Sequence, residues 1–218
     1  MPSIQRINRI GKPAVFCAAL LPLAGLIHAA LGPGLGANPV ETITRFTGDW
    51  TLRFLLLTLA LTPLRLLAGW SWPLHYRRML GLFTFFYAAL HFATYLLLDL
   101  TLDWGALAED IAKRPYITVG FSAFVLLVPL AVTSTNGWMR RLGRNWKRLH
   151  RLVYPLAVLG VLHFLWLVKA DVREPLLYAT LLALLLGVRL VKWLRTRRTR
   201  LRPGARLPLR TRSAVELS

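Results

Sequence analysis

The chain holds a single cysteine, Cys17. That excludes an intrachain disulfide and any cysteine-ligated metal or iron–sulfur cluster. Acidic residues are scarce, with 9 Asp+Glu against 28 Lys+Arg and a formal net charge of +19. No Walker A loop, GxSxG elbow or HExxH helix occurs, so the chemistries those motifs support have no foothold here. The apolar runs contain no cluster of carboxylates, which leaves proton-coupled transport without an Asp/Glu relay. Polar surface is also lacking. Hydrophobic residues make up 56% and charged residues 17% of the 218, and the mean hydropathy is +0.50. A soluble domain of this length cannot hide that much apolar surface. Basic nucleic-acid binders are not usually this apolar. Strong apolarity with clustered positive charge fits an inner-membrane protein.

Six apolar stretches are present: Pro13–Leu31, Trp50–Ala68, Met79–Leu98, Tyr116–Thr133, Leu149–Val168 and Leu176–Trp193. Each approaches the roughly 20 residues a helix needs to cross a bilayer. Helix is the expected state, because lipid offers no partner to unpaired backbone groups. Pro22, Pro63, Pro129 and Pro155 are tolerated in a membrane bundle for that reason. The first stretch follows Arg6, Arg9 and Lys12. Its long apolar core and His28 beside Ala29-Ala30 make it a retained helix rather than a cleaved signal.

The connections sort by charge. The N-terminal segment, the connections after spans two and four, and the C-terminal tail hold most of the Lys and Arg and one acid, Glu216. The remaining connections hold the other acids: Glu41, Asp49, Asp99, Asp103, Glu109, Asp110, Asp171 and Glu174. The positive-inside rule then puts both termini in the cytoplasm, which an even number of spans permits. The expected fold is an all-α integral membrane protein, a six-transmembrane-helix bundle. Residues 1–12 form a cytoplasmic N-terminus, 13–194 the membrane domain and 195–218 a disordered basic tail lying near anionic lipid. No internal repeat is evident.

Histidines inside spans are functional candidates, because ionisable groups in a membrane are costly. His91 lies in span three, and His150 and His163 begin and nearly end span five. On an ideal helix the last two sit about 20 Å apart and do not share a face. His91 and His163, however, fall at similar depth on two helices running the same way. Two neutral imidazoles facing each other across a bundle suit a six-coordinate haem iron. Phe86, Leu90, Phe92, Leu162, Phe164 and Trp166 would wall the porphyrin, and Ala88, Ala89 and Gly160 would leave it room. The alternative for either histidine alone is a buried ring bonded to a backbone carbonyl. His150 has no evident partner. His75, or a non-histidine ligand near Arg77 and Arg78, would complete a second, inner haem, unless His150 simply sits in the headgroup layer. His28 reads as structural or interfacial. The basic run Arg140, Arg141, Arg144, Lys147, Arg148 and Arg151 reads first as topology and second as an anion or docking site.

Particular strings carry a resemblance: Gly34-Leu-Gly-Ala-Asn-Pro-Val40, Phe46-Thr47-Gly48, Arg77-Arg78-Met-Leu-Gly81, His91 and Arg114-Pro-Tyr-Ile-Thr-Val-Gly120. Thr133-Ser-Thr135, Leu142-Gly143, Trp146, Leu149-His150, Val153-Tyr154 and His163 complete the set. Over about residues 10–195 the chain resembles the ferric-reductase-like transmembrane domain. Within it the resemblance narrows to the haem-binding membrane subunits of bacterial methionine-sulfoxide reductase systems. It implies one or two b-type haems with His91, His150 and His163 as the haem-linked histidines, and FMN as a further cofactor. It also implies electron transfer across the inner membrane from quinol or a cytoplasmic flavin reductase. The acceptor would be a periplasmic molybdopterin-containing catalytic subunit that reduces methionine sulfoxide in oxidised proteins. The wider family usually carries two histidines on each helix, where span three here reads Arg77-Arg78. A stand-alone ferric or quinone reductase is the nearest alternative. A small transporter or membrane anchor is the alternative of another class.

Overall fold

The structure, a computed structural model, describes residues 7–32, 34–168 and 171–200. These form nine α-helices, joined by short 3-10 and π turns, with no strand among the described residues. They are α1 Lys12–Leu31, α2 Pro39–Ala68, α3 Arg77–Thr94, α4 Trp104–Lys113, α5 Pro115–Val132, α6 Asn136–Leu142, α7 Arg144–Leu149, α8 Val153–Leu167 and α9 Arg173–Arg200. Among the described residues six helical segments are long and apolar enough to cross a membrane, as expected.

The boundaries differ from the apolar stretches in instructive ways. Helix α2 begins well before Trp50. Asn38 caps it by accepting from the Glu41 N–H at 3.2 Å, and Pro39 occupies the first turn, where a missing N–H costs nothing. Its far end stops at Gly69, which takes the left-handed conformation with φ 71°. Span five is not one helix. It divides into α7, a 3-10 turn over His150–Leu152 and α8, so His150 and His163 belong to different elements. Helix α9 runs past the expected boundary at residue 194 to Arg200. The rest of the basic tail, residues 201–218, lies outside the described residues. Hydropathy alone marked neither α4 nor α6, which lie in connections, and of α7 it reached only Leu149.

Hydrophobic transfer does not hold helices together in lipid, where the surroundings are as apolar as leucine. Close packing does. The central cluster joins Leu52, Leu55, Leu56 and Leu59 of α2 to Ala88, Ala123, Leu127, Leu130, Leu156, Ala157 and Val161. Ala157 and Leu59 are completely buried. The small residues let the backbones of α3, α5 and α8 approach. A second cluster sets Phe54 against Phe83 and Tyr87 at ring-centre distances of 5.7 and 5.3 Å. The Tyr87 hydroxyl donates to the Ala19 carbonyl at 2.9 Å, fastening α1 a turn before Pro22. Most hydroxyls within the spans are satisfied locally, the buried Thr58 hydroxyl being an exception. Thr47, Thr84, Thr94 and Ser122 each donate to the carbonyl one turn back on their own helix. That is how polar side chains persist in these segments.

Candidate functional site

Four helices each turn one stripe toward a common cavity of about 310 Å³. The stripes follow helical spacing. Helix α2 gives Thr44, Gly48 and Leu52, and α3 gives Thr84, Ala88 and His91, with Tyr95 in the π turn that follows. Helix α5 gives Gly120, Ala123 and Leu127, and α8 gives Leu156, Gly160 and His163. The walls are mostly apolar. Polar groups collect at the end near α4, where Arg45, Asp49, Tyr95, Asp99 and Arg114 line the cavity. There the Tyr95 hydroxyl donates to Asp110, and Arg114 pairs with Asp110 at 3.0 Å. Leu107 of α4 reaches the cavity, so α4 covers this end.

His91 and His163 enter the cavity from opposite sides. Their ring centres are 6.2 Å apart and their planes cross at 77°. Each ring is tied by Nδ1 to a backbone carbonyl of a neighbouring helix. His91 reaches Thr44 at 2.8 Å and His163 reaches Tyr116 at 2.7 Å. A carbonyl only accepts, so Nδ1 carries the proton in both rings. That leaves each Nε2 with a free lone pair and no hydrogen bond among the described residues. This tautomer, fixed by a bond from the other nitrogen, is the one a metal-ligating histidine adopts.

The other candidates are distributed differently. His150 stacks on Trp146 at 3.9 Å, and its Nδ1 bonds to the Trp146 carbonyl at 3.1 Å. Its Nε2 is buried without a hydrogen-bond partner. The Leu130 carbonyl lies nearby, but a carbonyl only accepts, and with the proton on Nδ1 toward Trp146 the neutral ring's Nε2 has none to donate. Arg77 lies within electrostatic reach of His150. Arg78 turns away and donates to Asn136. His75 is exposed and bonds at 2.9 Å to the Trp72 carbonyl in its own turn. No second histidine faces His150 among the described residues.

The expected pocket wall needs correction. Phe92, Phe164, Ala88 and Gly160 do line the cavity. Phe86 and Leu90 pack instead into the second cluster, because the α3 stripe through Ala88 and His91 turns that side toward α1 and α2. Ala89 and Leu162 do not reach the cavity, and Trp166 is exposed.

One residue escaped the sequence reading. Arg189 of α9 donates to the Tyr154 hydroxyl at 3.0 Å and to the Leu59 carbonyl. That carbonyl is free because Pro63, one turn on, has no N–H to offer it. The signal was available: an arginine inside the apolar run Leu176–Trp193 asks for a partner.

Fold and site together define a helical membrane protein with a histidine-lined internal cavity. The family model described as "Ferric reductase like transmembrane component" matches residues 47–161. The chain is 58% identical over 193 residues to the "Protein-methionine-sulfoxide reductase heme-binding subunit MsrQ" of Rhodospirillum rubrum, covering 88% of this chain and 93% of the relative. It is 55% identical over 202 residues to the protein of that name in Xanthomonas oryzae pv. oryzae (strain MAFF 311018), covering 90% and 93%. In Xanthomonas campestris pv. campestris (strain B100) the figure is 57% over 203 residues, with 90% and 93% covered. No solved structure matches the chain. The chain belongs to the MsrQ family, within the ferric-reductase-like transmembrane components.

Proposed function

We propose that this chain is the haem-binding electron-transfer subunit of a methionine-sulfoxide reductase system, with His91 and His163 as the axial pair of a b-type haem. The carrying observation is the facing pair itself. Two imidazole nitrogens about 2 Å from a shared metal hold their ring centres about 6 Å apart, against the 6.2 Å found here. Both rings present a bare Nε2, and the cavity between them has the size and apolar lining of a cofactor site. Haem, when bound, supplies one-electron chemistry that no side chain offers.

The chain's own part is to bind, orient and exclude. The carbonyls of Thr44 and Tyr116 hold the two rings in the ligating tautomer. Leu52, Leu127 and Leu156 keep water from the interior. Arg45 and Arg114, at the polar end of the cavity, suit the carboxylates of a porphyrin. A haem held by both His91 and His163 would be suited to carrying electrons rather than binding substrate. His150, with its buried bare Nε2 beside Arg77, is proposed as the ligand of an inner haem. The partner in this reading is a periplasmic molybdopterin-containing catalytic subunit. The donor is quinol or a cytoplasmic flavin reductase, with FMN as an intermediate carrier.

Orientation follows from the charge distribution: the α6–α7 end faces the cytoplasm and α4 the periplasm of the inner membrane. With Cys17 replaced by serine, an impermeant thiol reagent on intact cells is expected to label Ala108→Cys and to spare Arg148→Cys. The reverse pattern would invert the topology. The function is tested by a reduced-minus-oxidised spectrum of the purified full chain with haem quantified per chain. A low-spin b-type spectrum is expected. His150→Ala is expected to lose the inner portion, close to half of the haem, and to keep the outer. Folded protein that retains no haem when haem is supplied in excess would end this reading.

A further inference from the structure

The two ligand histidines rest on one device, built twice. Gly48 stands one turn after Thr44 on α2, and Gly120 one turn after Tyr116 on α5. In each case the imidazole lies against the glycine and donates to the carbonyl one turn before it. The separation from carbonyl residue to histidine is 47 in both halves. The pairs α2/α3 and α5/α8 are therefore two copies of one arrangement, although no string of residues announces the repeat.

At Gly120 the fit is close enough to exclude any side chain, and at Gly48 a methyl would need the ring to give by a few tenths of an ångström. A Cβ on Gly120 would stand 2.6 Å from His163 Nδ1, 2.8 Å from Cε1 and 3.0 Å from Cγ. A Cβ on Gly48 would stand 3.1 Å from both Cε1 and Nδ1 of His91. Neither obstacle is a flexible chain end. Each is a ring held by a backbone hydrogen bond, so an added methyl must displace the imidazole or break that bond. Neither glycine has positive φ, so the backbone does not demand glycine at these positions. In a helix interior alanine is otherwise the better residue. These glycines carry a helix-propensity cost that no backbone geometry requires, and ring contact is what accounts for it.

We infer that Gly48 and Gly120 are positioning residues that set the place and tilt of the two axial imidazoles, with the Gly120 seat the tighter. The inference rests on the proposed haem ligation and adds to it the residues that aim the ligands. A shifted ring changes metal–nitrogen overlap, which the spectrum of the bound iron reports directly.

The test compares Gly120→Ala, Gly48→Ala and Gly25→Ala in the purified full chain, with haem per chain, the low-spin EPR g values and helix content measured on each. Gly25 has nothing within 4 Å of an added Cβ and serves as the control. Gly120→Ala is expected to lose more than half of the haem assigned to the His91–His163 site while keeping wild-type helix content. Gly48→Ala is expected to keep its haem with shifted g values, and Gly25→Ala to match wild type. Wild-type haem and g values in Gly120→Ala would overturn the inference. So would equal losses in Gly120→Ala and Gly25→Ala, which would mark a general effect on the helices. If Gly120→Ala does not accumulate, Gly48→Ala decides: shifted g values support the seat and unchanged values remove it. Wild-type protein without haem would instead defeat the ligation itself.

Discussion

His163→Ala and His91→Ala are each expected to abolish the six-coordinate haem signal of the cavity, with at least a tenfold loss of that haem per chain. The physical reason is geometric. Each ring supplies one side of a two-sided site, and no other histidine stands near enough to substitute. His150 belongs to a different element, and His75 is exposed and bonded to its own turn. The oxidised wild-type protein should also give a strongly anisotropic low-spin EPR spectrum. Imidazoles crossing at 77° act almost equally on the two iron orbitals that parallel planes would split. A weakly anisotropic, rhombic spectrum would contradict this ligand arrangement. Retention of the full signal in either alanine variant would remove that histidine from the site.

The second large effect concerns Arg189. Its guanidinium accepts the task that Pro63 leaves undone, by donating to the Leu59 carbonyl. Arg189→Met should leave the carbonyl of the fully buried Leu59 and the half-buried Tyr154 hydroxyl unpaired, at a cost of about 1–3 kcal/mol. Pro63→Ala restores an N–H one turn after Leu59. In the Arg189→Met background it should recover part of the lost stability, and in the wild-type background it should gain less. The measurement is a double-mutant cycle by thermal unfolding in detergent. A coupling of about 1 kcal/mol or more between the two sites is expected. Simple additivity would show that Arg189 does not repair the proline gap.

These two cases mark where sequence reading succeeded and where it stopped. His91 and His163 were legible because imidazoles are rare in apolar runs and because counting along two helices matched their depths. Their support was not legible. Thr44 and Tyr116 act through main-chain carbonyls, which have no side-chain signature. Gly48 and Gly120 act by having no side chain at all. The pocket wall was misassigned at Phe86 and Leu90 because neighbours in sequence lie on opposite faces of α3. Only packing against α1 and α2 decided which face turned inward. Arg189 is an intermediate case. Its position inside a span was visible, but its partner, a carbonyl freed by a proline on another helix, was not.

The sequence by itself determined that this chain is helical and membrane-spanning. Lipid forces every apolar run of sufficient length to satisfy its own backbone, and that constraint needs no knowledge of neighbours. It also determined which histidines were candidates, because a titratable ring within such a run is costly. Tertiary structure alone decided that α2/α3 and α5/α8 repeat one arrangement, and that two rings meet at 6.2 Å with bare Nε2 atoms. It also separated His150 from His163 by a turn. These are relations between helices, set by which small residues let backbones approach and which carbonyls remain free to accept.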